Sequence, residues 1–162
     1  MAQMDPQTEE RLRQAFKSLN RFMIFMWKAH MGRLINIWPA VFGRIMVIKH
    51  VGRKSGLTRY APVNYAKVDG EIYCVAGFGS ISDWYRNIMD LPEAELWLPG
   101  ERFPARAEDV SDCAQRLPLI RAVLIASGFA ALLFGVNPRK MEDEKLHEIT
   151  ANYRLLHFVR NG

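Results

Sequence analysis

The sequence predicts an α+β fold, a six-stranded antiparallel barrel with helices on its outside, and three observations carry that prediction. Short runs rich in β-branched and aromatic residues recur between about 45 and 110 and again near 153–160. They are joined by tight turns, among them Asp69-Gly70 and Pro99-Gly100, too short for the crossover that parallel strands need. The longer helical patterns lie at 1–40 and 111–150, with one short helix at Asp83–Met89 between strands, so the helices read as peripheral. At 162 residues and 49% hydrophobic, the chain reads as a single domain with one sizeable core.

The first element is a long helix over roughly 1–40. Leu12, Phe16, Leu19, Met23, Met26, Trp27, Met31, Leu34 and Ile35 repeat at three- and four-residue intervals, and Pro39 ends the pattern. Its Met/Phe/Trp face, flanked by Arg13, Lys17, Arg21, Lys28 and Arg33, fits packing on the domain or a partner subunit, and also fits an interfacial membrane helix. Strands come next at Ile45–Val51, Arg59–Val68 and Glu71–Phe78, the last two joined by Asp69-Gly70 as a hairpin. A short helix spans Asp83–Met89, with Ser82 or Asp83 as its cap and Pro92 beyond its end. Ala94–Leu98 and Arg102–Val110 form a second hairpin about Pro99-Gly100. Ser111 or Asp112 caps a helix to about Ser127, Asn137-Pro138 starts another to Ile149, and Tyr153–Arg160 is an edge or closing strand. The organisation is therefore a barrel core over 45–110, a helical lid over 111–150 and a final strand at 153–160.

Two stretches have a chemical look. Gly52-Arg53-Lys54-Ser55-Gly56-Leu57-Thr58-Arg59 is a basic loop between strands. Its glycines permit close backbone approach, its N–H groups and Ser55 hydroxyl can face anionic oxygens, and Arg53, Lys54 and Arg59 supply charge. The plain alternative is a solvated hairpin turn. It is not a nucleotide-binding P-loop, because Arg53 and not glycine precedes Lys54. Nor is it a dinucleotide fingerprint, because the next stretch, Arg59–Val68, is extended rather than helical. A net charge of +5 without a long basic run makes nucleic acid an unexpected partner. The second stretch, Gly79 to Asn87, runs a flexible loop into a helix N-terminus, where free N–H groups can face an anion or a polarised carbonyl. Trp84 and Asn87 share a helical face, so one can pack on a flat ligand while the other hydrogen-bonds it, or the two can be a core anchor and a loop tie.

The remaining chemistry-bearing residues are scattered. Cys74 and Cys113 show no catalytic or paired signature and read as reduced thiols. His30, His50, His147 and His157 lack metal-ligand spacing, so no metal is implied. The N-terminus has no secretory pattern, and Ala122–Val136 falls short of the roughly 20 residues of a membrane span. The expected location is cytoplasmic, with membrane association left open.

Taken in order, GRKSG with Arg59 and Pro62, the Asp-Gly hairpin, VAGFG, DWYRN and Pro92 resemble the deazaflavin (F420)-dependent nitroreductase family, of the split β-barrel flavin and deazaflavin oxidoreductases, over about residues 45–110. The resemblance implies coenzyme F420 as cofactor, with FMN as the alternative. It implies that Arg53, Lys54, Ser55 and Arg59 hold the phosphate side and that the backbone of Tyr60, Ala61 and Pro62 lines the ring. Val75, Ala76, Gly77 and Phe78, with Asp83, Trp84, Tyr85, Arg86 and Asn87, would complete the pocket. The implied activity is hydride transfer to an apolar, electron-poor small molecule of the quinone, enone or nitroaromatic type, with no side-chain nucleophile. The pattern departs from the family where substrate is met. Asp83 stands where the family has proline, Asn64 and Gly77 stand where hydroxyl side chains are usual, and Gly128, Phe129, Leu132, Leu133 and Phe134 replace a tyrosine-rich helix. A non-enzymatic carrier of lipid or another apolar ligand is the reading from a different class, and a homodimer is compatible with the Met/Phe helix.

Overall fold

The computed structural model describes residues 21–29, 43–128, 131–132 and 135–161. Six antiparallel strands close a barrel in the order β1-β2-β3-β6-β5-β4. They are β1 (Ile45–Val51), β2 (Thr58–Val68), β3 (Glu71–Ala76), β4 (Glu93–Leu98), β5 (Glu101–Asp109) and β6 (Arg154–Arg160). Helices lie around it, among them α1 (21–28), α2 (Asp83–Asp90), α3 (Arg116–Ala126) and α4 (Asp143–Ile149), with a short 3-10 turn at Gly79–Ile81 before α2. The rest of the long N-terminal helix expected from the sequence lies outside the described residues. β6 is the closing strand, paired with β3 on one side and β5 on the other.

Side-chain alternation sets the inside and outside of the wall. Met46 and Ile48 of β1, Ala61 and Tyr65 of β2, Cys74 and Ala76 of β3, Leu96 and Leu98 of β4, Phe103 and Ala105 of β5, and Leu156 and Phe158 of β6 fill the barrel. Tyr85 and Ile88 of α2 enter the same cluster, so α2 plugs the barrel. Each fully buried large aliphatic side chain contributes about 1.5–3 kcal/mol. β1 is apolar on both faces because its outward Val47 is covered as well, by Trp97 of β4 and Trp27 of α1. Arg102 reinforces that contact, stacked on Trp97 at 4.0 Å and donating to the Trp27 carbonyl at 2.8 Å. A second cluster, with Leu119, Ile120 and Leu124 of α3 and Leu146 of α4, packs on Tyr73 and Val75 on the outer face of β3.

Most boundaries agree with expectation within a residue or two, and the Asp69-Gly70 hairpin has the two positive φ values its turn requires, 54° and 88°. Three expectations need correction. β3 ends at Ala76, because Gly77 and Phe78 turn away from the sheet and leave Phe78 exposed. α3 starts at Arg116 and not at Ser111, whose hydroxyl instead accepts from the Leu155 N–H at 2.9 Å while the Ser111 N–H donates to Asp109. α4 starts at Asp143, since Asn137 closes only a turn, its carbonyl accepting from Lys140 and Met141. In both helices the presumed cap residue forms its own local structure one or two turns early.

Both cysteines are free thiols. Cys74 is buried inside the barrel, which pushes its thiol pKa up, whereas Cys113 is partly exposed. One thiol per native chain is therefore expected to react with a water-soluble disulfide reagent and two after denaturation; fast labelling of Cys74 in the native protein would contradict the closed barrel.

Candidate functional site

The barrel wall is open at one place. Pairing of β2 with β3 covers only Tyr65–Val68 against Glu71–Cys74, while β2 continues alongside β1 back to Thr58. Past Tyr65 the two strands part. Pro62, which has no N–H to give to a neighbour, occupies the stretch that β3 does not reach. The cleft at this split has a volume of about 270 Å³. Pro62, Val63 and Asn64 line one side and Val75, Ala76, Gly77 and Phe78 the other. Ser82 and Trp84 close one end, and Val123, Ser127, Ala131 and Tyr153 form the cover.

The basic loop closes on itself beside this cleft. The Gly52 N–H donates to the Leu57 carbonyl at 2.9 Å, and the N–H groups of Ser55 and Gly56 both donate to the Gly52 carbonyl, at 3.1 and 2.8 Å. Gly56 takes a φ of 64°. A Cβ on Gly52 would stand 2.8 Å from Ser55 Oγ, so the missing side chain leaves room for the Ser55 hydroxyl to fold over the loop. Lys54 and Arg59 are exposed, and their charges face solvent.

Arg53 behaves differently. Its backbone N–H and its guanidinium both donate to Asn87 Oδ1, at 3.2 and 2.8 Å. The same guanidinium reaches the Asp83 carbonyl and, at 3.3 Å, the Asp83 carboxylate. Asn87 Nδ2 in turn lies 3.3 Å from His50 Nε2, and His50 Nδ1 lies 3.3 Å from the Ile48 carbonyl. A carbonyl can only accept, so His50 carries its proton on Nδ1 and accepts the Asn87 amide on Nε2. Burial, opposed by the Ile48 carbonyl and helped by the Arg59 charge, holds the His50 pKa below its ordinary value.

The structure thus brings together Arg53, Lys54, Ser55 and Arg59 around the loop, and Pro62, Val75, Ala76, Gly77, Phe78 and Trp84 around the cleft. Asn64 and Gly77, singled out at the expected substrate end, both line it. The side chains of other residues expected at the site are engaged in contacts of their own. The Tyr60 ring packs on Trp97 with Lys28 above it, and Ala61 faces the barrel core. Tyr85 is buried with its hydroxyl donating to Asp109; burial first, and that partner second, push its pKa up to about 12. Arg86 donates to the Ser80 carbonyl and secures the loop before α2, while the Asn87 amide is engaged by Arg53 and His50.

The sequence reading named neither His50 nor Tyr153 for the site, whereas Val123, Ser127 and Ala131 fall within the segment it read as a helical lid, 111–150. His50 could have been found from its place on the inward face of β1 with Met46 and Ile48, since a histidine there must find a partner. Which side chains of the lid segment meet the cleft, and that Tyr153 joins them, depends on contacts between residues distant in sequence. Among the described residues no group of three or more His, Cys, Asp or Glu side chains could hold a metal, and no helix is long and apolar enough to cross a membrane.

The family model described as F420H(2)-dependent quinone reductase matches residues 20–129. Among solved structures, an F420-H2-dependent reductase superposes with a TM-score of 0.50 at 18% identity, over 72% of this chain and 93% of that one. A conserved hypothetical protein from Mycobacterium tuberculosis gives 0.53 at 16% identity, over 80% of this chain and 79% of its own. A protein described as a domain-swapped dimer gives 0.53 at 16% identity, over 94% and 98%. At these identities the superpositions speak for the fold, whereas the family model speaks for the sequence. No curated protein matches the chain closely enough to count as a relative.

Proposed function

Because this chain belongs to the F420H(2)-dependent quinone reductase family and is an oxidoreductase that uses coenzyme F420, we propose that the cleft at the β2–β3 split takes the deazaflavin ring and the basic loop takes its anionic tail. One observation carries this assignment: α2 is a shared wall. Ser82 and Trp84 at its start line the cleft, while Asp83 and Asn87 hold Arg53 of the loop, so ring site and anion site are adjacent and rigidly linked.

The residues fit the group. A cleft of about 270 Å³ accommodates a ring system and not a whole dinucleotide-sized cofactor, so the tail must run outward. The exposed Lys54 and Arg59 and the N–H groups of a glycine-bounded turn are suited to phosphate and carboxylate oxygens. Apolar Pro62, Val75, Ala76 and Trp84 suit a flat ring and keep water away from it. When bound, the reduced deazaflavin supplies the hydride.

The acceptor we propose is a quinone-type molecule, supported by the apolar cover from α3 and Ala131. The acceptor also needs a proton. Ser127 Oγ donates to the Val123 carbonyl and Asn64 Nδ2 to the Arg44 carbonyl, so both are already engaged. The Tyr153 phenol lines the cleft; a phenol is protonated near neutral pH, and burial raises its pKa further. Its hydroxyl is the group we assign to hold the acceptor oxygen and pass it a proton. Tyr153→Phe should lower turnover of a soluble quinone by about 10²-fold while leaving cofactor affinity nearly unchanged. Steady-state assays beside a fluorescence titration would read both; unchanged turnover would remove Tyr153 from this role.

The proposal includes a homodimer, supported by Phe22 and Phe25, which are 57% and 66% exposed on α1 beside Arg21 and Lys28. Light scattering on the purified chain checks it. The cofactor assignment itself is tested by titrating the protein with F420, FMN and NADPH side by side. Saturable micromolar binding of F420 alone is expected, and indifference to F420 would refute the site.

A further inference from the structure

His50 is buried at the barrel mouth, two positions from Ile48 on the inward face of β1, and none of the chemistry above uses it. Its place in a directed chain of hydrogen bonds gives it a task. The Ile48 carbonyl requires the proton on Nδ1, so Nε2 must accept, and only the amino group of Asn87 can then face it. With the amide so oriented, Oδ1 points at Arg53 and receives both its backbone N–H and its guanidinium. The orientation of the loop at Arg53 is thus decided by which nitrogen of a buried imidazole carries a proton.

Resting on the reading that this loop holds the cofactor's anionic tail, we infer that His50 is a positioning residue that keeps the loop competent to bind, and that its protonation releases Arg53. With a proton on both ring nitrogens, Nε2–H would confront the Asn87 amino group. The amide would have to turn, presenting the imidazole with Oδ1 and Arg53 with two N–H groups in place of an acceptor. Arg53 would keep only its contacts to Asp83, whose side chain is exposed.

Among the charged groups around His50, its cross-strand neighbour Arg59 on β2 opposes a positive imidazole, and Arg53 lies beyond Asn87. Asp83 on α2 is paired with Arg53, and Glu95 on β4 is paired with Lys49, the preceding residue of β1. An anion on Arg59 would by itself ease protonation; in this inference the loss of the Arg53 arrangement outweighs that, so bound cofactor holds His50 neutral to lower pH than in the unliganded protein. The sign comes from the lowered pKa: the neutral state, with its stabilising network, is complete above the ordinary histidine value and is lost as pH falls through the lowered one.

The test is an equilibrium titration with F420 between about pH 5 and 8, on wild type, His50→Gln and His50→Leu. Glutamine keeps an acceptor that does not titrate, whereas leucine has none. Wild type should lose about tenfold in affinity towards low pH, the glutamine variant should track only the cofactor's own titration, and the leucine variant should be weak throughout. Nitrogen-15 spectra of the imidazole in the cofactor-free protein give a second reading, with the Nδ1–H neutral tautomer expected. Equal pH slopes in wild type and His50→Gln, or an Nε2–H tautomer, would overturn the inference. Absence of F420 binding in every variant at every pH, with the Nδ1–H tautomer intact, would instead count against the cofactor site.

Discussion

Replacing Lys54 and Arg59 together by alanine is expected to weaken F420 binding by about 10²-fold, because each charge-assisted contact contributes roughly 1.5 kcal/mol at an exposed site. Neither side chain supports the fold: both are exposed, and the loop closes through its own backbone hydrogen bonds at Gly52, Ser55 and Gly56. The melting temperature should therefore stay close to that of wild type. The difference in affinity should shrink as salt is added, since exposed charges beyond about 10 Å at 0.1 M are screened. Arg53→Ala is a poorer probe of the anion site, because it also removes the strut from the loop to Asp83 and Asn87. Full retention of affinity by the folded double variant would mean that the tail does not lie on this loop.

The second large effect is expected at Gly79, which opens the turn between β3 and α2. Its φ is 60°, and a Cβ there would fall far inside contact distance of the Asn152 carbonyl oxygen. Gly70 provides the control, with a φ of 88° and nothing near its would-be Cβ. Gly70→Ala meets only the left-handed backbone penalty, about 1–2 kcal/mol. Gly79→Ala adds a clash between two backbone segments that no side-chain rotation relieves, for a total of about 3–5 kcal/mol. The melting temperature should drop by roughly 10–15 °C for a domain of this size. Turnover should suffer as well, because the clash displaces the segment before Tyr153 from the segment between Phe78 and Ser82, and all three residues line the cleft. Equal melting temperatures for the two alanine variants would show that the approach of Gly79 to Asn152 is not required.

Much of the barrel was legible from local chemistry. Turn residues such as Asp69-Gly70 and Pro99-Gly100 determine hairpins within four residues, and the alternation along β5 separates buried Phe103, Ala105 and Ala107 from exposed neighbours. Helix starts were harder to read. Ser111 and Asn137 are good caps by type, yet each satisfies backbone groups elsewhere, and the helices begin later. Of the site, the loop residues and the glycine-rich end of β3 were readable as motifs. The work assigned to Asn87 was not, because an amide at the start of a helix serves a ligand as readily as it serves a loop.

Local sequence was enough to place the strands along the chain, the basic loop and the family, since these depend on neighbours a few residues apart and on motif order. It took the folded chain to reveal where the barrel splits, which helices cover the split and what Arg53 is tied to. Those features depend on contacts between distant residues, such as His50 with Asn87, 37 positions apart, and Leu155 with Ser111, 44 apart. Hydrogen-bond donors and acceptors must all be matched in a buried space, and no local pattern encodes which distant group will complete the match.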